Sequence, residues 1–142
     1  FGYQIKEFIV LQPTSPLRVV EDIDGAISLF KEMKADSVIS YVMESHPITW
    51  HKYLNEDNSF IDLFEDSLNN RQDNRKSYFP NGAIFVFRYS LIKLKRYYSE
   101  KSFAHIMPKA RSIDVDYIDD FEDYIDYLRD SQQDAMESIL EI

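Results

Sequence analysis

Cysteine is absent from the 142 residues, which excludes a disulfide framework and any zinc site built on thiolates. A cysteine-free chain suits a reducing cytoplasm. Glycine is scarce: Gly2, Gly25 and Gly82 are all there is. None of the three belongs to a glycine-rich run of the kind that cradles phosphates with backbone N–H groups. Long apolar stretches are also lacking. The longest lies around Phe8–Leu11, far short of the roughly 20 residues a membrane-spanning helix needs. No basic leader followed by an apolar segment marks a signal peptide. Positive charge is the minority, 16 Lys and Arg against 25 Asp and Glu for a net charge of −9. That argues against non-specific nucleic-acid binding, which needs a basic face. A small anionic substrate remains possible, because a few cationic side chains, N–H groups and a metal ion can hold it locally.

What is present reads as an ordinary folded chain. Hydrophobic residues make up 44% and charged residues 29%, and the length fits one domain or less. The chain opens at Phe1 without Met, inside what reads as an element, so a fragment is the expectation. Phe8-Ile9-Val10-Leu11 predicts a buried parallel strand, closed by Gln12 and Pro13. From Glu21 to Lys34, Ile23, Ile27, Phe30 and Met33 recur at helical spacing. Ser37 to Val42 predicts a second strand, and the strand–helix–strand order implies a right-handed crossover. Residues 44–80 form a long, mostly polar excursion with an apolar patch at Phe60, Ile61, Leu63 and Phe64. A short helix and a β-arm are expected there, with an interface role. Gly82 to Phe87 predicts a strand, Ser90 to Tyr98 a helix, and His105 to Met107 a short strand. Ile113 to Asp116 reads as a strand end, followed by a helix from about Asp119 to Leu128, with the tail after Arg129 either continuing the helix or fraying.

Four constellations could carry chemistry. Leu11-Gln12-Pro13-Thr14-Ser15-Pro16-Leu17-Arg18 places a polar loop at the carboxyl end of a strand, where open α/β sheets bind ligands. The alternative is a rigid strand-to-helix turn. Asp114 and Asp116 would share a face if their segment is extended, and two converging carboxylates suit Mg2+ or Mn2+. On spacing alone, a solvated acidic turn before a helix, with Asp119 or Asp120 as N-cap, is the better reading. Asn81-Gly82 is a turn signal, which favours a structural role for Asn81. Arg71 reads by default as a surface arginine. His46, before Pro47, reads as a solvated loop histidine.

In order, these pieces resemble the acylneuraminate cytidylyltransferases, or CMP-sialic acid synthetases. The block Leu11 to Arg18 looks like that family's most characteristic motif. Asp36-Ser37-Val38-Ile39-Ser40, His46-Pro47, Arg71-Gln72, Pro80-Asn81-Gly82-Ala83-Ile84 and Ser112-Ile113-Asp114-Val115-Asp116 follow in the family's order. The resemblance implies an α/β, Rossmann-like nucleotidyltransferase sheet with a protruding dimerisation arm at 44–80. It implies that residues 1–142 are the C-terminal part of a single cytidylyltransferase domain, with the N-terminal strands missing. It implies transfer of CMP from CTP to the anomeric hydroxyl of a nine-carbon keto-deoxy sugar acid, with release of pyrophosphate. Asp114 and Asp116 match metal-binding and catalytic carboxylates. Gln12 matches a sugar-contacting glutamine, Arg71 an arginine near the sugar and Asn81 an active-site asparagine. Ser15, within the first motif, is a further candidate substrate contact. The partners implied are CTP, a nonulosonic acid and a second copy of the chain, with no nucleic acid or membrane.

Three positions depart from the family. Thr49 stands where a lysine is frequent, Phe79 where an arginine is frequent, and Phe85 where a tyrosine is frequent. A less polar sugar of the legionaminic type would suit such a pocket. The family's Gly-, Ser-, Lys- and Arg-rich triphosphate loop has no counterpart here, so the 142 residues alone are expected to be inactive. Two alternatives stand beside this reading: a cytidylyltransferase for a different keto-deoxy sugar acid, and a non-catalytic dimerising module without the phosphate loop.

Overall fold

The computed structural model describes residues 2, 4–64 and 75–140, with side chains to residue 131. Its regular elements are β1 (Glu7–Leu11), α1 (Val20–Glu32), β2 (Ser37–Met43), β3 (Lys52–Leu54), β4 (Phe60–Asp62), β5 (Tyr78–Arg88), α2 (Tyr89–Lys93), β6 (Ser102–Ile106) and α3 (Ile118–Leu140). Four strands form one sheet in the order β1-β5-β2-β6, and β3 and β4 form a separate two-stranded sheet. β5 is antiparallel to both its neighbours, whereas β2 and β6 are parallel. The fold is therefore mixed α/β with a mostly antiparallel sheet.

The periodicity after Arg18 forms a helix because its apolar positions find a sheet to cover. Ala26 and Phe30 are buried from α1, and they meet Val38 of β2, Ile84 and Val86 of β5, and Met107. Burying a side chain such as Phe30 stabilises the fold by roughly 2–3 kcal/mol relative to leaving it in water. On the other face, Ile39 and Phe87 pack with Leu91 of α2, flanked by Phe8, Tyr41 and Phe85. Period-two alternation thus sends Val38 to one core and Ile39 to the other.

Three expectations need correction. The Phe8–Leu11 strand exists but is neither buried nor beside β2. It pairs antiparallel with β5, and Ile9, Val10 and Leu11 are 36–42% exposed. The cause is β5, which enters the sheet between β1 and β2 and leaves β1 at an edge. The helix expected from Ser90 to Tyr98 stops at Lys93, because Lys95 takes a left-handed φ of 56°, which ends a helical run. No strand forms at Ile113–Asp116. Its Val115 N–H goes to the Thr14 carbonyl at 2.8 Å, and its Asp116 N–H goes to the Asp120 carboxylate at 3.0 Å, so no ladder hydrogen bonds are made. Of the two courses left open for the tail after Arg129, the helix continues, to Leu140.

The excursion contains a 3-10 turn at Ile48–Trp50 and the β3–β4 hairpin. Among the described residues no helix is long and apolar enough to cross a membrane.

Candidate active site at the carboxyl edge of the sheet

β1, β2 and β6 end at one edge of the sheet, and β5 begins there. At this edge the β2–β5 register breaks: Ile39 faces Phe85 but Tyr41 faces Pro80. Ser40 alone therefore stands opposite residues 81–84, which bulge. Bulges of this kind recur beside active sites, because they redirect side chains. Pro80 is tolerated inside β5 because β1 reaches only as far as Ile84, so β5 has a single partner at that point.

The bulge is stitched to its surroundings by Asn81, which is 3% exposed. Its Oδ1 accepts from the Ser40 hydroxyl at 2.6 Å and from the Ala83 N–H at 3.3 Å. Its Nδ2 donates to the Ser112 hydroxyl at 2.8 Å and to the Met107 sulfur at 3.4 Å. The Ser40 hydroxyl in turn accepts the Ile84 N–H at 2.8 Å. Asn81 thus joins β2, β5 and the segment after β6, and its side chain is fully engaged with protein.

Gly82 adopts φ +75°. A Cβ there would lie 2.5 Å from Gln12 Oε1 and 3.0 Å from Asp114 Oδ2. Both side chains therefore crowd onto the Gly82 α-carbon, which brings the loop after β1 and the segment before α3 to one point. Asp114 Oδ1 is buried with no hydrogen-bond partner, and so is the hydroxyl of Ser15, a residue 1% exposed. A buried carboxylate oxygen left unpaired is costly, and a cation or a donor from a ligand would relieve it.

Arg18, the last residue of the Leu11–Arg18 block, is a loop staple. Its guanidinium donates to the carbonyls of Gln12, Ser15 and Ala83. Asp116 is exposed, and the Asp120 carboxylate accepts its N–H together with that of Tyr117, closing the first turn of α3. The shared strand face expected for Asp114 and Asp116 therefore does not form. Arg71 lies outside the described residues. His46 is exposed, with its ring 6.4 Å from that of Trp50. Phe85 is half-buried and stacks on Phe87 at 6.1 Å, while Phe79 is 45% exposed. Among the described residues no three His, Cys, Asp or Glu side chains cluster as a metal cage.

Two side chains escaped the sequence reading. Asp22, 4% exposed in the first turn of α1, accepts two hydrogen bonds from Arg111, at 2.9 Å from Nε and 2.8 Å from Nη2. The Arg111 guanidinium holds the Asp22 carboxyl below the usual carboxylate range against the opposing effect of burial, and the Val19 N–H, 3.1 Å away, adds to the lowering. Nearby, burial pushes the His105 imidazole below its ordinary value. An Asp and an Arg 89 positions apart carry no local pattern that could have announced the pair.

Two cavities lie near these edges. One of about 290 Å3 opens at the carboxyl edge, lined by Ser45, Tyr78, Met107 and Lys109, with Lys109 Nζ 2.8 Å from the Ser45 hydroxyl. Another, of about 690 Å3, opens at the opposite edge beside Lys6, Arg88 and Tyr89, away from Gln12 and Asp114.

The chain is 34% identical over 125 residues to the N-acylneuraminate cytidylyltransferase of Streptococcus agalactiae serotype V, and 35% identical over 126 residues to that of serotype III. It is 34% identical over 122 residues to the N-acylneuraminate cytidylyltransferase of Escherichia coli. These matches take in 82–87% of this chain but only 28–30% of the relatives. The chain thus spans less than a third of the length of the curated relatives it matches. The resemblance carried by the ordered motifs is borne out: across nearly all of its length, the chain is related to proteins named N-acylneuraminate cytidylyltransferase. No protein-family model matches it.

Proposed function

We propose that this chain carries the sugar-acid side and the metal-binding carboxylates of a cytidylyltransferase. The reaction would transfer CMP from CTP to the anomeric hydroxyl of a nine-carbon keto-deoxy sugar acid. A bond forms between that oxygen and the α-phosphorus, the bond to pyrophosphate breaks, and the hydroxyl proton is lost. The observation that carries this reading is the meeting of Gln12 and Asp114 on Gly82, with Asp114 Oδ1 buried and unpartnered. It lies at the carboxyl edge of the sheet, within a chain related to cytidylyltransferases.

The donor set fits a hard divalent cation. Mg2+ typically takes one or two carboxylates and completes its shell with phosphate oxygens and water. Asp114 and Asp116 are the groups that would hold it, and no third protein ligand is needed. When bound, such an ion would neutralise the triphosphate and polarise the α-phosphate. The chain's own residues then act by positioning. The Gln12 amide orients the sugar acid beside Asp114. Asn81 sets the shape of the bulge from beneath, and Arg18 fixes the Gln12 carbonyl. Ser15 carries a hydroxyl with no protein partner, free to meet a ligand oxygen if the loop shifts. Arg71 is retained as a proposed sugar contact on the motif match alone. Phe85 and Phe79 favour a sugar with fewer hydroxyls, of the legionaminic type.

The sheet edge and excursion are read in the same frame as parts of a Rossmann-like nucleotidyltransferase with a dimerisation arm. Trp50, Tyr53, Leu54 and Phe60 are 59–76% exposed on and beside the β3–β4 hairpin. A two-stranded hairpin is marginal alone, and an apolar surface of this kind suits a two-fold interface with a second copy.

The test is a chimaera in which this chain replaces the matching segment of the Streptococcus agalactiae serotype V protein. It should release pyrophosphate from CTP with Mg2+ and a nonulosonic acid, whereas the 142 residues alone should not. Asp114→Asn or Asp116→Asn should lower turnover at least a hundredfold, as expected for loss of a metal-held charge. A folded chimaera with full turnover after both substitutions would overturn the assignment.

A further inference from the structure

Arg111 and Asp114 are separated by two residues, and the stretch around them is tied to three different elements. Arg111 grips Asp22 at the start of α1. Ser112 accepts from Asn81 of β5. Val115 donates its N–H to Thr14 in the loop after β1. Asp114 lies between the last two ties, with its carboxylate against Gly82. We propose that the Asp22–Arg111 ion pair is a positioning clamp, fixing the turn that presents Asp114 to a divalent cation. The inference rests on the cation-binding reading of Asp114 given above.

The pair is unlike a solvated surface ion pair. Asp22 is buried, whereas the Arg111 side chain is about one-third exposed, at 34%. Nε and Nη2 of Arg111 engage the two carboxylate oxygens separately. That fork fixes the direction of the arginine as well as its distance. Capping of α1 does not require it, because the Asp22 carboxylate already accepts the Val19 N–H. Arg111 therefore adds something besides helix capping: it anchors the turn Lys109–Arg111, from which the chain leads to Asp114. α1 can hold its carboxylate there because it packs closely on β6. A Cβ on Gly25 would lie 2.6 Å from His105 Cε1, so a larger residue there would have to displace the imidazole.

A clamp and a mere fold staple differ in what they predict for metal affinity. Lysine can neutralise Asp22 but cannot reproduce the fork. The probe is Mn2+, titrated into the 15N-labelled 142-residue chain. Free Mn2+ is read by electron paramagnetic resonance, and binding is located by amide line broadening. Broadening should centre on Gly82, Asp114 and Val115. In Arg111→Lys and in Asp22→Asn, the fold should persist by circular dichroism while the Mn2+ dissociation constant rises about tenfold, the usual scale for groups that orient a metal ligand. Unchanged affinity in a folded Arg111→Lys chain would overturn the clamp while leaving the cation site standing. Wild-type chain that shows no broadening at Gly82 and Asp114 would overturn the cation site, and the clamp with it. A third measurement needs no substitution. The Val115 amide should exchange slowly before Mn2+ is added and no more slowly afterwards; fast exchange in the metal-free chain would show that nothing holds the segment in place.

Discussion

The bulge at residues 81–84 and the β3–β4 hairpin are both irregular excursions from the main sheet, yet they are built in opposite ways. In the bulge, polar atoms are spent on protein partners: Asn81, Ser40 and Ser112 satisfy one another. In the hairpin, Lys52 reaches Asp62 across the strands, while Tyr53, Leu54 and Phe60 face outward. One region is shaped from within, by hydrogen bonds among its own buried side chains. The other leaves large apolar side chains in solvent, as the proposed interface would require. Substitutions in the bulge should therefore be read in fold stability, and those in the hairpin in association.

The largest effect should follow Asn81→Ala. It leaves Ser40, Ser112 and the Ala83 N–H short of partners in a buried setting, at about 3 kcal/mol, measurable by urea unfolding of the 142-residue chain. A loss below about 0.5 kcal/mol would place Asn81 outside the framework and favour a ligand-contact role instead. Gly82→Ala comes next, at about 2 kcal/mol, from the left-handed φ and the displacement of Gln12 and Asp114. It should also displace the Gln12 side-chain amide resonance. A third effect is pH dependence near the bulge. The depressed His105 value means that its contribution is complete above about pH 6.5 and is lost as pH falls below that. The depressed Asp22 value adds a second loss, below about pH 4, as the carboxyl is protonated. His105→Gln should flatten stability between pH 7 and 5 and leave the lower window in place. The smallest stability change, under about 0.5 kcal/mol, is expected for Leu54→Ser with Phe60→Ser. If the hairpin is the proposed two-fold interface, light scattering should show a dimer for the unsubstituted chain and a monomer for this variant. A variant of this kind that unfolds the monomer would erase the contrast between the two regions.

Local pattern made much of this legible. The spacing of Ile23, Ile27 and Phe30 gave α1, and the alternation in Ser37–Val42 gave β2. The ordered motifs gave the family, and with it the pairing of Gln12 and Asp114 as candidates. Partner choice was not legible. Nothing in Phe8–Leu11 reveals that its neighbour is β5, because a short apolar strand reads the same at an edge as in a buried position. The period-two argument for Asp114 and Asp116 failed for a related reason. It presumed a ladder, whereas Val115 bonds to a loop and Asp116 to the next helix. The Asn81-Gly82 turn signal did point to the structural role that Asn81 fills. Asp22 and Arg111 were invisible because long-range ion pairs leave no periodic trace.

The insertion of β5 between β1 and β2 also sets an order of events during synthesis. Glu7 of β1 pairs with Arg88, so β1 leaves the ribosome long before its partner exists. At roughly 5–20 residues per second, some eighty residues take about 4–16 s to make. During that time α1 and β2 are made, while the side of Phe8–Leu11 that faces β5 has no partner. Chaperone demand on the nascent chain should therefore peak before β5 emerges and fall once it does.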